Sequence, residues 1–157
     1  MVRLSTPSTQ AAAKSRLVGI RLALLTLRLR ENWQLLFGDR EATLIGLAVI
    51  ATVSERLLRT ELDPALESLD KPMPLDQLST CNISSIATAT GLNRETARRR
   101  VDQLVRSGLL VKERGSVRLA PGFTQQKLAC EVVQAQLDAL RRSVNDLIRE
   151  GAMTLEP

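Results

Sequence analysis

The stretch NISSIATATGLNRETARRRVDQLVRSGLLVKERGSVRL, residues 82–119, decides the fold expected for this chain. Its pattern predicts a short helix, a tight turn, a second helix rich in arginine and a small β-hairpin. Asn82 and Ser84 are both suited to cap the N-terminus of the first helix. Gly91 can adopt the left-handed conformation that ends such a helix, so we expect the turn there.

The second helix is expected over residues 94–107, with Asn93 as its N-cap. Apolar residues at helical spacing predict one buried face, formed by Ala97, Val101, Leu104 and Val105. Charged residues occupy the other sides of the same helix: Arg94, Glu95, Arg98, Arg99, Arg100, Asp102 and Arg106. The hairpin follows at residues 110–119, and Gly115-Ser116 is predicted to form its type II′ turn.

Basic residues concentrate in the same stretch. The chain has 22 lysines and arginines against 17 aspartates and glutamates, a net charge of +5. Residues 82–119 contain eight of these bases and three of the acids, so this segment alone carries +5 and the remainder is neutral. A localised basic patch is typical of a phosphate-binding surface. A solvated helix face is the alternative interpretation of these charges.

Two short helices joined through Gly-Leu-Asn, followed by Leu-Val-Arg-Ser-Gly-Leu-Leu and a hairpin, resemble a winged helix-turn-helix domain of the MarR, ArsR and IclR regulator types. The resemblance covers roughly a quarter of the chain and lies in the order of the pattern. It implies a mainly α fold with a small β-hairpin wing, in which the winged helix-turn-helix core is flanked by long N- and C-terminal helices. It also implies a bacterial DNA-binding dimer, with a small-molecule effector that the sequence leaves unspecified.

Exposed residues near the start of the arginine-rich helix are the candidates for reading bases. A helix fits the major groove of DNA, and arginine can donate two hydrogen bonds to guanine. The expected base-reading residues are Arg94, Glu95, Arg98 and Arg99. Glu95 could accept a hydrogen bond from cytosine or pair instead with a neighbouring arginine. Phosphate or wing contacts are expected from Asn93, Arg100, Arg106, Lys112, Arg114 and Arg118.

Long helices are also predicted on both sides of the DNA-binding core, over residues 14–37 and 124–150. The first is apolar on nearly every side up to Leu29, so it needs cover on several faces. The second repeats apolar residues every three or four positions, a pattern that needs a partner helix. In the MarR arrangement such helices pair across a two-fold axis, which favours a homodimer. Packing of both helices on their own subunit is the alternative.

The domain organisation expected from these elements has four parts. They are a flexible tail at 1–13, an N-terminal dimerisation helix at 14–37, a DNA-binding domain at 38–123, and a C-terminal dimerisation helix and tail at 124–157. Within the third part, a helix from residue 40 to 60 or 62 precedes a proline-containing connection at 63–80. The first 30 residues contain six bases and no acid, which leaves a transit peptide or a basic helix on a membrane surface open. No apolar run approaches the roughly 18 residues of a membrane span.

Residues typical of metal and catalytic sites are scarce. The chain has no histidine and two cysteines, Cys81 and Cys130, which excludes the common zinc frameworks and argues against a disulfide-stapled secreted domain. Its carboxylates are scattered singly, so we predict neither an enzyme nor a cofactor or metal. Scarce aromatics disfavour binding to RNA or single strands. The cysteines are candidate redox sensors or inert small residues, and the cytoplasm is the expected compartment.

The predicted function is sequence-specific binding of double-stranded DNA by a dimer that regulates transcription. The helix at 94–107 would enter the major groove, while the hairpin at 110–119 would contact the minor groove or phosphates. The alternative is a winged-helix adaptor or architectural DNA-binding component of a replication, partition or other assembly. A palindromic site would favour the regulator, and salt-sensitive binding without a preferred site would favour the adaptor.

Overall fold

The computed structural model describes residues 2–157 and is mainly helical, with two small antiparallel strand pairs. The helices are α1 (Ser8–Ala13), α2 (Ser15–Phe37), α3 (Arg40–Ser54), α4 (Ile83–Thr90), α5 (Arg94–Arg106) and α6 (Lys127–Arg149). The strands are β1 (Arg3–Ser5), β2 (Leu110–Glu113), β3 (Ser116–Leu119) and β4 (Thr154–Glu156). The prediction of a mainly α chain with a small hairpin is confirmed.

Contacts divide the chain into two compact units. The first contains the described residues up to Trp33 together with Val132–Pro157, and the second contains Gln34–Glu131. Among the helices of residues 2–157, none has both the length and the apolar content that crossing a membrane requires.

Both ends of the chain belong to the first unit, where β1 pairs antiparallel with β4. Leu4 lies opposite Leu155, and Ser5 Oγ lies 2.9 Å from Thr154 Oγ1. The sequence predicts a flexible tail over residues 1–13, whereas β1 and α1 occupy most of that segment. The difference arises because a strand at one terminus is paired by the other terminus, and local sequence signals do not report such a pairing.

Within the first unit, α2 and α6 contact each other. Arg21 pairs with Asp146 (Nη1–Oδ2 2.7 Å) and Glu150 (Nη2–Oε1 2.5 Å), and Gln136 Nε2 donates to the carbonyl of Leu29 at 2.9 Å. Part of the surface predicted to need a partner helix therefore finds one in the same chain. Other large apolar side chains remain exposed: Leu17, Ile20, Leu22, Leu24, Leu27 and Leu35 on α2, and Leu128, Val133, Leu137 and Leu140 on α6.

The core of the second unit is built on α3. The carboxylate of Asp39 caps this helix by accepting a hydrogen bond from the Ala42 N–H at 3.0 Å. Side chains at helical spacing are buried along it: Ala42, Ile45, Val49 and Val53. Gly46 lies against the ring of Phe37, which stacks on Phe123 with ring centroids 5.7 Å apart. The two phenylalanines are therefore core residues of this unit.

The structure ends α3 at Ser54, earlier than the predicted boundary at residues 60–62. A single 3-10 turn follows at Glu55–Leu58. Apolar residues continue at helical spacing here, but the buried face ends at Val53, and Leu58 is 90% exposed. Most helical stability in proteins comes from packing of an apolar face. Because residues after Val53 lack such packing, the α-helix does not continue through them. Two further 3-10 turns lie in the predicted connection: Pro64–Leu66 and Leu75–Gln77.

Both predicted helices of residues 82–119 are present, with their caps. The Oδ1 atom of Asn82 accepts a hydrogen bond from the Ser85 N–H at 2.9 Å. Similarly, Oδ1 of Asn93 accepts one from the Glu95 N–H at 2.9 Å. Gly91 ends α4 with a φ of +69°, the left-handed conformation predicted for it. These polar and glycine positions confirm the two helices and the turn between them.

The predicted hairpin is also present, but its turn has a different type. Glu113 pairs with Ser116, so Arg114 and Gly115 form the loop. Their φ values are +48° and +79°. Two positive values are characteristic of a type I′ turn, whereas the sequence predicted a type II′ turn at Gly115-Ser116. That prediction was wrong because Arg114 adopts a positive φ, which non-glycine residues seldom do. Nothing in the sequence therefore indicated that Arg114 is the first loop residue.

Candidate nucleic-acid interface

Opposite sides of α5 carry its apolar and its charged residues. Ala97, Val101 and Leu104 are buried, and α5 packs on α3, α4 and β2. All four residues predicted to read bases are exposed: Arg94, Glu95, Arg98 and Arg99. Because three neighbouring elements hold the buried side, the exposed side is a fixed charged surface.

Arg98 is held by two carboxylates of its own helix. Its Nη2 lies 2.5 Å from Glu95 Oε1, and its Nη1 lies 3.5 Å from Asp102 Oδ2. The hydrogen bond from Arg98 lowers the pKa of Glu95 below its usual value. The local pairing considered as an alternative role for Glu95 is therefore present. Asp102 also lies 3.5 Å from Lys112 Nζ, which links α5 to β2.

Arg100 points towards α3 rather than outwards. Its side chain is 16% exposed. The guanidinium donates a hydrogen bond to Asp39, the cap of α3, and another to Gln103, while Nε lies 3.5 Å from Glu41 Oε2. The hydrogen bond from Arg100 lowers the pKa of Asp39. This arginine, predicted to contact phosphate, is thus engaged with acidic partners on α3.

The hairpin has one paired and one unpaired arginine. Arg118 Nη2 lies 3.2 Å from Glu113 Oε2 across the two strands, and the Arg118 side chain is only 21% exposed. Arg114 lies in the exposed turn, where its positive φ places it at the tip of the hairpin. Arg114 is therefore the more accessible cation of the two.

Four bases of residues 82–119 have no carboxylate within 4.0 Å anywhere in residues 2–157. These unpaired arginines are Arg94, Arg99, Arg106 and Arg114. Arg99 and Arg106 are seven residues apart, or about two helical turns, so they share one face of α5. Neither arginine forms a salt bridge within residues 2–157, although Glu95 feels the charge of Arg99, so both guanidinium groups are available to an anionic partner.

Gln103 shares that face, four residues after Arg99 and three before Arg106, and it is exposed. Gln103 was not among the DNA contacts predicted from the sequence, of which all but Asn93 carry a charge. Helical spacing alone would have identified Gln103 as a neighbour of both arginines. Its amide oxygen accepts the hydrogen bond from Arg100, so its orientation depends on the link to α3.

Cys81 and Cys130 lie in different surroundings. Cys81 is fully buried, and burial raises the pKa of its thiol. A thiol kept protonated in the core reacts slowly, so these surroundings favour the small core residue over the redox sensor among the two roles considered for Cys81. Cys130 is exposed on α6. Across residues 2–157, no group of three or more His, Cys, Asp or Glu residues could hold a metal ion.

No protein-family model matches the chain, and neither curated proteins nor solved structures give a significant match. The resemblance to winged helix-turn-helix regulators therefore depends on the residues and elements described above.

Proposed function

We propose that residues 82–119 form a winged helix-turn-helix that binds double-stranded DNA, with α5 in the major groove and the β2–β3 hairpin as the wing. One observation carries the proposal. The face of α5 opposite its buried side presents Arg99 and Arg106 without acidic partners. The major groove admits an α-helix, and arginine binds phosphates and base edges alike. The exposed face of α5 has the shape and charge for such a contact.

In this proposal the base-reading residues lie at the start of α5. Arg94 and Arg99 are exposed and unpaired, so they can reach base edges without breaking an ion pair. Arg98 is oriented before binding by Glu95 and Asp102. Such pre-orientation reduces the entropy lost on binding. Glu95 acts chiefly by holding Arg98, and a contact to cytosine is its second possible role.

Phosphate contacts follow from the remaining unpaired cations. Arg106 lies further along the face of α5, and Arg114 lies at the hairpin tip, from which it would reach the minor groove or its phosphates. Asn93, Lys112 and Arg118 are weaker candidates, since each already has a hydrogen bond or ion pair within the protein. Arg100 has a different role in the proposal, because its pairing with Asp39 orients α5 on α3.

A homodimer is the second part of the proposal. On α2, four exposed apolar side chains recur with spacings of three, four and three residues: Leu17, Ile20, Leu24 and Leu27. On α6, Val133, Leu137 and Leu140 recur with spacings of four and three. This spacing is the seam of a helix that packs on another helix. Water contact with such a seam is unfavourable by about 25 cal/mol per Å², and a second copy of the chain supplies a matching surface.

In this proposal the dimer regulates transcription. Two copies of α5 would lie about 34 Å apart, one turn of DNA, and would bind an inverted repeat in the cytoplasm. A small-molecule effector of unspecified chemistry belongs to the same proposal. The adaptor or architectural role remains the alternative, because a charged helix face also binds DNA without sequence preference.

A salt titration of DNA binding tests the proposal. Fluorescence anisotropy on a labelled random-sequence duplex would compare the wild type with Arg99→Ala/Arg106→Ala. We expect roughly tenfold weaker binding and a salt slope lower by about two. The matched control is Arg30→Ala/Arg56→Ala, which removes two exposed arginines elsewhere. Equal losses in both variants would contradict the assignment of the surface to α5.

A further inference from the structure

A small groove between α2 and α6 lies within the first unit. Its cavity volume is about 100 Å³. Three arginines and one serine contribute polar groups to its wall: Arg21, Arg28, Arg142 and Ser143. Apolar side chains of Leu24 and Leu25 form another part of the wall. The groove therefore combines concentrated positive charge with partial exclusion of water.

The single acid of this groove, Asp146, is neutralised by its neighbours. Arg21 Nη1 lies 2.7 Å from Asp146 Oδ2, and Arg149 Nη2 lies 3.1 Å from Asp146 Oδ1. Arg28 and Arg142 have no carboxylate within 4.0 Å among residues 2–157. One guanidinium comes from each helix, and both remain available to an anion in the groove.

The hydroxyl of Ser143 provides an independent observation. Its Oγ is buried and has no hydrogen-bond partner among residues 2–157. Buried polar atoms nearly always have a partner, and a serine inside a helix can usually donate to the carbonyl four residues earlier. Ser143 lines the groove. Because the Oγ atom itself is enclosed, a rotation about χ1 of Ser143 is needed to bring this unused hydroxyl to a ligand in the groove.

We propose that this groove binds a small oxyanion of the phosphate class, either inorganic phosphate or the terminal group of a phosphomonoester. The cavity volume of about 100 Å³ is well above the roughly 10–15 Å³ that one water requires on this measure, so the groove has room for one tetrahedral group. Guanidinium groups match the geometry of phosphate oxygens and bind them with two parallel hydrogen bonds. Arg28 and Arg142 supply these contacts, and Ser143 donates a further hydrogen bond once its hydroxyl turns towards the groove.

A bound oxyanion would connect α2 to α6 through its contacts with Arg28 and Arg142. Arg21 and Gln136 already bridge the two helices, so the anion adds a further bridge. A ligand that binds only the folded state stabilises it by mass action. Phosphate should therefore raise the melting temperature of the chain. This site does not depend on the proposed binding of DNA.

Isothermal titration calorimetry with sodium phosphate and with glycerol phosphate tests the site, using sodium chloride at matched ionic strength as the blank. The background protein should be Arg99→Ala/Arg106→Ala, since the α5 face could bind phosphate on its own. We expect saturable binding in this background, and at least about tenfold weaker binding after adding Arg28→Ala or Arg142→Ala. Preference for either probe identifies the source of the oxyanion and supports the site.

Two further variants separate binding from general effects. Arg30→Ala removes an exposed arginine of α2 that does not line the groove, so phosphate binding should be unchanged. Ser143→Ala should weaken phosphate binding while leaving the unliganded protein equally or more stable, because an unsatisfied buried hydroxyl is lost. Absence of saturable binding in the background protein overturns the proposal. Unchanged binding in Arg28→Ala and Arg142→Ala overturns it as well.

Discussion

Arg100 in α5 donates a hydrogen bond to Asp39, the residue that caps α3 and lies 61 positions earlier in the chain. The same carboxylate accepts the capping hydrogen bond from the Ala42 N–H. One side chain therefore both begins the core helix and holds the arginine-rich helix on it. The orientation of the proposed DNA-binding face depends on this charge pair as well as on apolar packing.

Replacing Asp39 by asparagine separates the contribution of its ion pair from that of its helix cap. Asparagine caps helices as well as aspartate does, so Asp39→Asn should lose only the ion pair with Arg100. We expect a loss of about 1 kcal/mol in the free energy of unfolding at pH 7, because Asp39 is 60% exposed and water screens the pair. Urea titration measures this loss, and Glu61→Gln, at an exposed acid without an ion pair, is the control.

The effect of Asp39→Asn should depend on pH with a definite sign. Arg100 lowers the pKa of Asp39 in the folded protein. A carboxyl group with a lowered pKa contributes stability that is fully present above its unfolded-state pKa, about 3.9. That contribution is lost as the pH falls through the folded-state pKa. The difference between wild type and variant should therefore vanish in acid, and a difference that persists there would contradict the ion-pair assignment.

Arg99 and Arg100 are adjacent but should behave differently. Arg100→Ala removes the link to α3, so we expect lower thermal stability with an unchanged salt slope of DNA binding. Arg99→Ala removes an exposed, unpaired cation, so the salt slope should fall by about one while the melting temperature stays constant. Calorimetry and anisotropy measure the two quantities. If both variants reduced the salt slope equally, Arg100 would be a phosphate contact, as the sequence predicted.

Gly46 is predicted to tolerate no side chain. A Cβ there would lie 2.5 Å from Cδ1 and Cε1 of Phe37. That ring is 3% exposed and stacks on Phe123, so it has little room to move. Gly46→Ala should cost about 1–3 kcal/mol of unfolding free energy through overpacking. The control is Gly19→Ala in α2, where no atom lies within 4 Å and alanine should stabilise the helix by roughly 1 kcal/mol.

The exposed seam of α2 makes a prediction about the oligomer. Ile20 and Leu27 are 54% and 49% exposed. Size exclusion with light scattering should give twice 17.3 kDa for the wild type, and 17.3 kDa for Ile20→Glu/Leu27→Glu. Glutamate preserves helix propensity, and Leu58→Glu, at a residue 90% exposed outside these helices, should remain dimeric. A wild type that is monomeric in this measurement would contradict the proposed homodimer.

Local signals in the sequence predict the elements around the candidate site well. Asn82, Gly91 and Asn93 mark the ends of α4 and the start of α5, because caps and left-handed turns depend on residue type at one position. Helical spacing likewise predicts which residues lie on the exposed side of α5. These features depend on neighbours within a few residues.

Interactions between distant residues were not predictable in this way. The acidic partners of Arg100 lie on α3, so the sequence of α5 alone could not distinguish a phosphate-binding arginine from one that is already paired. The pairing of β1 with β4 joins opposite ends of the chain. The turn at Arg114 depends on strand register, which fixes the loop residues and overrides the preference for glycine at a positive φ.

Selection of bound duplexes from a random pool is the sharpest test of base reading by α5, since sequence-specific binding must leave a preferred site. We expect enrichment of an inverted repeat whose half-sites are centred about 34 Å apart along the DNA. Arg98→Ala should relax the preference at one position of each half-site, at a cost of ~1–3 kcal/mol. A pool that stays random after repeated selection, with salt-sensitive binding to every duplex, would contradict sequence-specific binding by α5.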